Sequence, residues 1–246
     1  MADIKYKRIL LKLSGEALTG SQAYGIEPGV IDGIADEIIE AYSMGVQVAI
    51  VVGGGNFFRG VQGSSWGMDK AAADYVGMLA TIMNCLILQG VLNKKGIPTR
   101  VQTAITMPSV AEPFIRLRAI RHLEKNRVVI FGGGTGNPHV TTDTAAALRG
   151  AEIKADAILM AKNHVDGVFD SDPKLNPSAK RLDYISFDDL ISQNLKVMDS
   201  AAVSLCEQNN IPIIVFDFAR SGAIKRLVQG EQIGTLVASR PPEVMA

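Results

Sequence analysis

The sequence predicts an α/β fold built on a largely parallel sheet. Strand and helix signals alternate along the whole chain. Three short apolar runs, residues 8–13, 48–52 and 128–131, each end in a glycine-containing turn. These turns are Ser14-Gly15-Glu16, Gly53-Gly54-Gly55-Asn56 and Gly132-Gly133-Gly134-Thr135-Gly136-Asn137-Pro138. Short β-branched runs suit strands buried on both faces of a parallel sheet. Glycine just past such a strand lets main-chain N–H groups converge with no Cβ in the way, and at a helix start they form an anion site. Three such turns on one sheet point to a ligand with several phosphates, or to two phosphorylated ligands side by side.

The elements follow in order. A polar loop, 19–25, comes after the first strand, and Pro28 then opens a helix that buries Ile31, Ile34, Ala35, Ile38, Ile39 and Tyr42 and stops at Gly45. The second strand follows at once. A long apolar helix is predicted from Asp69 to Lys94, a third strand over 98–107, and a helix over 113–125 with Phe114, Leu117, Ile120 and Leu123 inward. Past the third glycine turn, Thr141 or Thr142 caps an alanine-rich helix over 143–151. A buried strand at 157–160 leads into a long polar loop, 162–179, of a kind more often functional than idle. Helices at 188–193, 199–209 and 223–229 and strands at 211–216 and 235–238 complete the pattern, and the tail from Ser239 is expected to fray. One domain, 1–246, is expected, because no linker-like stretch interrupts the alternation.

Composition narrows the function. With 246 residues, 47% hydrophobic and 20% charged, the chain supports a large core. Lys plus Arg and Asp plus Glu number 25 each, so the excess basic charge of a non-specific nucleic-acid binder is missing. Two isolated cysteines and three scattered histidines argue against a zinc site and fit a reducing compartment. The charged amino terminus runs straight into a strand without a signal-peptide pattern, so a cytoplasmic protein is expected. The apolar stretch 75–92 is long enough to raise a membrane span. Asn84 and Gln89 within it, Gly77 and Gly90, and Asp69, Lys70 and Asp74 before it favour a core or oligomer-interface helix.

The common nucleotide motifs are absent. The dipeptide Gly-Lys does not occur, which excludes a Walker A loop. A dinucleotide fingerprint fails because Asn137 and Phe58 stand where its third glycine belongs. No GxSxG elbow occurs.

Five segments, Lys12-Leu13-Ser14-Gly15-Glu16-Ala17-Leu18, Gly53 to Gly60, Gly134 to Pro138, Thr141-Thr142-Asp143 and Val165 to Phe169, resemble in order and spacing the bacterial UMP kinases of the amino-acid kinase superfamily. The resemblance spans about residues 6–238. It implies a three-layer αβα sandwich around a mostly parallel sheet, with an acceptor-binding N-terminal part and an ATP-binding C-terminal part. The implied reaction is phosphoryl transfer from ATP to UMP in pyrimidine biosynthesis.

The resemblance also implies roles for individual residues. Lys12, buried in an apolar run, must reach an anion or snorkel from a sheet edge, and the resemblance favours charge neutralisation on the transferring phosphoryl group. ATP contacts are implied for Lys12, Leu13, Ser14, Gly15, Gly55, Arg59, Asn163, Phe169 and Asp172. UMP contacts are implied for Gly54, Asp74, Thr135, Gly136, Asn137, Pro138, His139, Val140, Thr141 and Thr142, with Asp74 on the ribose hydroxyls. His139 stands where family members commonly carry an aromatic residue. Asp143 and Asp199 are the acids expected near the Mg2+ that comes with ATP. Arg100 and Arg127 match positions linked to GTP activation, and hexamers regulated by GTP and UTP are implied. An anionic phosphate acceptor needs no strong general base, so positioning and electrostatics should carry catalysis. Two alternatives stay open: a superfamily kinase acting on an amino acid, carbamate or small phosphate ester, and a nucleotide sensor without turnover.

Overall fold

The computed structural model describes residues 4–163, 165–171, 176, 178–193, 195 and 197–241. The first half runs β1 (Arg8–Leu13), a 3-10 turn (Gly15–Leu18), α1 (Pro28–Ser43), β2 (Gln47–Val52), α2 (Gly60–Ser65), α3 (Lys70–Lys94), β3 (Thr99–Thr103), β4 (Glu112–Pro113), α4 (Arg116–Glu124) and β5 (Val128–Gly132). The second half runs α5 (Thr142–Ile153), β6 (Ala157–Lys162), β7 (Val168–Phe169), β8 (Arg181–Leu182), β9 (Tyr184–Ile185), α6 (Phe187–Ser192), α7 (Ser200–Gln208), β10 (Ile213–Asp217), α8 (Ala223–Val228) and β11 (Thr235–Val237). Among the described residues, nine strands form one sheet in the order β4-β3-β5-β2-β1-β6-β10-β11-β9. Every pairing in it is parallel except β10 with β11.

Side chains of β1 alternate between two cores, as the strand period of two demands. Ile9, Leu11 and Leu13 join the layer that holds α1, α3 and α8. Leu10 joins the opposite layer, with residues of α4 to α7. The three-layer αβα sandwich is therefore present. Lys12 has the parity of Leu10, so it faces the α5 side. In the register it sits between Val51 and Met160 in the middle of the sheet, which removes the sheet-edge explanation for this lysine.

The long helix α3 has the length and hydropathy of a membrane span, yet it packs as a core helix on β3 and β5. Asn84, fully buried in its middle, exchanges amide hydrogen bonds with Asn56 in the second glycine turn: its Nδ2 donates to Asn56 Oδ1 at 2.7 Å, and Asn56 Nδ2 donates back to Asn84 Oδ1 at 3.0 Å. Asn84 Nδ2 also reaches the Gly53 carbonyl at 2.7 Å. Buried amides persist only where their hydrogen bonds are satisfied, so this pair fixes the turn onto the helix.

Four local expectations need correction. Leu117 is 68% exposed, and α4 buries Ala119, His122 and Leu123 instead. A strict spacing of three slides around a helix of 3.6 residues per turn, and Leu117 lies opposite the arc centred on Ala119 and Leu123. The α4 start is also displaced, because Pro113 pairs in β4 against Thr103. The predicted strand over 98–107 stops at Thr103, whose hydroxyl accepts from the Ile105 N–H and turns the chain. The polar loop after β6 is partly ordered into a hairpin, with Val168 opposite Leu182 and Phe169 opposite Arg181.

Candidate active site

Strands β1, β2, β5 and β6 are parallel neighbours, so their carboxyl ends share one edge of the sheet. The three glycine turns lie along that edge. The first two are pressed together: a Cβ on Gly15 would stand 2.7 Å from the Gly53 carbonyl oxygen, the Gly55 nitrogen and Asn56 Oδ1. Gly53 N–H donates to the Leu13 carbonyl at 2.9 Å. The third turn hangs on α3, with Gly133 N–H donating to Thr81 Oγ1 at 2.8 Å. It needs left-handed backbone at Gly133 (φ +76°), which glycine adopts without steric cost.

Charge converges behind the turns. Lys12, 8% exposed, places Nζ 2.5 Å from Asp143 Oδ1 in the first turn of α5. Asp143 is there because Thr141 caps the helix, its Oγ1 accepting from the Asp143 and Thr144 N–H groups at 3.1 Å. Lys162, at the end of β6, donates to the Val197 carbonyl at 2.8 Å. Burial, and after it the positive charge of Lys12, lower the Lys162 pKa, with Asp143 acting in the opposite sense. A buried and a half-buried lysine around one carboxylate leave an excess of positive charge that favours an anion. The sequence reading missed Lys162. It is the polar last residue of an otherwise apolar strand, and that was the available signal.

Asp199 caps α7 by accepting from the Ala202 N–H at 2.9 Å. Its carboxylate also takes hydrogen bonds from the Thr141 and Thr144 hydroxyls, so it braces the starts of α5 and α7 against each other. Burial would raise its pKa, but those donors outweigh burial and hold it low.

The second and third turns and the start of α3 enclose a cleft of about 140 Å3, lined among others by Gly54, Gly55, Asp74, Gly77, Gly134 and Thr142. Asp74 accepts from the His139 N–H at 2.7 Å and pairs with Lys70 at 2.9 Å. Burial opposes the charged form of Asp74, yet the Lys70 and His139 hydrogen bonds win and lower its pKa. His139 takes left-handed backbone (φ +67°) to make that contact. Pro138, Val140 and Thr141 complete the arc, and Asn137 N–H folds back on Thr135 Oγ1 beside Gly136. Arg59 stands at the mouth, Nη2 3.0 Å from Glu16 Oε1 and Nε 3.4 Å from the Gly55 carbonyl.

The remaining candidates fall in three places. Leu13 is fully buried, which leaves only its main chain near the edge, and the Ser14 hydroxyl accepts from the Glu16 N–H at 3.2 Å. Asn163 follows Lys162 on the surface and Phe169 lies in β7, while Asp172 lies outside the described residues. Asp166 Oδ2 ties the β7–β8 hairpin to the loop after β10, 3.3 Å from both Arg181 Nη1 and Arg220 Nη2. Arg100 and Arg127 gather around Glu112 and His122: Arg127 Nη1 is 3.2 Å from His122 Nδ1, His122 Nε2 is 3.0 Å from Glu112 Oε2, and Arg100 Nε is 3.9 Å from Glu112 Oε1.

Among the described residues, no group of three or more His, Cys, Asp or Glu could hold a metal. The arrangement does not build a metal cage. It fits a divalent ion carried on phosphate oxygens and water, with Asp143 as a nearby acid.

Comparison with known proteins agrees with this geometry. The profile of the amino acid kinase family matches residues 7–217. A solved UMP kinase from Bacillus anthracis is 46% identical over 96% of this chain and 97% of its own, with a TM-score of 0.94. A UMP kinase from Ureaplasma parvum is 38% identical over 96% of this chain and 100% of its own, with a TM-score of 0.89. A uridylate kinase from Archaeoglobus fulgidus is 30% identical over 94% of this chain and 99% of its own, with a TM-score of 0.73. Matches of this extent and similarity establish that the chain belongs to the amino acid kinase family, alongside its UMP kinases.

Proposed function

We propose that this chain transfers the γ-phosphoryl group of ATP to UMP, giving UDP and ADP for pyrimidine nucleotide biosynthesis. The observation that carries the reading is the buried Lys12–Asp143 pair at the meeting point of the glycine turns, with Lys162 beside it. A phosphate oxygen of UMP attacks the γ-phosphorus as the bond to the β-phosphate bridging oxygen breaks, and ADP leaves with that electron pair. Both reacting groups are anions, so the chain's task is alignment and charge neutralisation. Lys12 meets the charge on the transferring group. Main-chain N–H groups at Ser14, Gly15, Gly54 and Gly55 hold phosphate, and Arg59 swings from Glu16 to make a forked contact.

The acceptor occupies the cleft between Gly54, Asp74 and the 134–142 turn, with Asp74 accepting from the ribose hydroxyls in place of Lys70. The donor base lies on the side of Asn163 and of the hairpin carrying Phe169, and the family likeness assigns Asp172 to the same nucleotide. One domain thus carries an acceptor half and a donor half. Mg2+ would come with ATP and would neutralise charge on the donor phosphates. Asp143 is the nearest acid, and Asp199 keeps it in place through Thr141.

Further readings follow from the same family likeness. α3 leaves Tyr75, Leu79, Met83 and Ile87, four residues apart, between 40% and 47% exposed in one stripe. That exposed stripe supports a homo-oligomer in which a second copy covers it, and the family likeness gives a hexamer acting in the cytoplasm. Arg100 and Arg127 form the GTP-responsive region, with UTP as the opposing effector. The acceptor is tested by measuring ADP release with UMP, CMP, glutamate and carbamate in parallel. UMP should be the best acceptor by at least about tenfold in kcat/KM. If UMP is the poorest, the assignment is wrong.

A further inference from the structure

We propose that Arg149 is a positioning residue for the third glycine turn, setting the peptide plane that faces the acceptor. The inference rests on reading that turn as the acceptor site. Arg149 sits in the second half of α5, away from Lys12 and Asp143, and is only 5% exposed. A buried guanidinium is costly unless its charge is met and its donors are used. Here three contacts meet it. Its Nη1 donates to Glu152 Oε2 at 2.6 Å, its Nη2 donates to the Gly134 carbonyl at 3.4 Å, and its carbon lies 3.7 Å from the Phe114 ring centroid.

Each contact has its own support. Phe114 is set edge-on against Phe131 of β5, with centroids 5.6 Å apart. The Glu152 main-chain carbonyl accepts from Arg116 Nε at 2.7 Å. The guanidinium plane is thereby fixed by an aromatic face and a carboxylate. Its Nη2 is aimed at a residue of the turn that has left-handed backbone. Gly134 has φ +59° and no side chain to anchor it. The peptide bond is planar and trans, so holding the Gly134 carbonyl on the Arg149 side turns the Thr135 N–H to the other side. Lysine does not replicate this, because an ammonium is a point charge without a stacking plane or a rigid fork.

The test is steady-state kinetics of Arg149→Met and Arg149→Lys in the full chain, varying UMP and ATP separately, with thermal melts alongside. Loss of one hydrogen bond from a charged donor should raise the UMP KM about tenfold in Arg149→Met. The ATP KM should stay within about twofold of wild type. Arg149→Lys should show the same selective rise, smaller in size. A UMP KM unchanged in both variants, or UMP and ATP KM values rising together as the melting temperature falls, overturns the proposal and leaves Arg149 as a packing residue. A wild-type chain that does not phosphorylate UMP overturns the acceptor reading first, and this proposal with it.

Discussion

Replacing Lys12 by alanine is expected to lower kcat by about two to three orders of magnitude while the chain still folds. Lys12 is the one cation that the central strand delivers directly behind the glycine turns, and it is held to Asp143 at 2.5 Å. A buried charge meeting charge that develops in the transition state acts where water cannot screen it. Its loss should therefore fall on kcat more than on KM. Some stability is lost too, since Asp143 keeps its charge without its partner. Asp143 retains partial solvent access and Lys162 remains close, so the melting temperature should drop without the fold collapsing. Rates of ADP release and a thermal melt on the same preparation check this. A wild-type rate would remove Lys12 from the mechanism.

Gly15→Ala is expected to cost about a hundredfold in kcat/KM, because a shift near 1 Å at a reacting centre has that scale of effect. The added methyl would meet three atoms of the second turn at 2.7 Å, two of them backbone. Backbone cannot swing aside as a flexible side chain can, so the two turns must separate. Those turns hold consecutive phosphates in the proposed site, and their spacing sets the donor against the acceptor. The strain should also lower stability by about 1–3 kcal/mol. Gly29→Ala is the control, since a Cβ there meets nothing within 4 Å. Equal activity in the two variants would show that the contact between the turns is unimportant.

Much of this was written in the sequence in physical terms. Runs such as 8–13 and 128–131 can be little other than buried parallel strands, and a lysine inside one of them announces a charge that needs a partner. A cap at Thr141 or Thr142 was legible because both hydroxyls precede an alanine-rich helix, and the structure gives it to Thr141. What was not legible depends on packing across the sheet. Lys162 matters because β6 lies beside β1, a neighbour relation that local pattern does not encode. The inward face of α4 was misjudged because a strict spacing of three drifts around the helix, and its start because β4 claims Pro113. The short strands β8 and β9, of two residues each, carry no periodicity to detect. Asn84 was readable as an argument against a membrane span, but its partner Asn56 lies 28 residues away and could be found only in three dimensions. Arg149 carries no local signal, because its contacts with Phe114 and Gly134 arise from packing.

The central claim is that the turns after β1, β2 and β5 grip a donor triphosphate and an acceptor monophosphate against Lys12. The most direct measurement is a crystal structure of the full chain with UMP and a non-hydrolysable ATP analogue bound together. The account predicts the γ-phosphate beside Lys12 Nζ and the UMP phosphate against Gly54, with the ribose at Asp74. Both nucleotides bound away from these turns, with Lys12 still closed on Asp143, would contradict it.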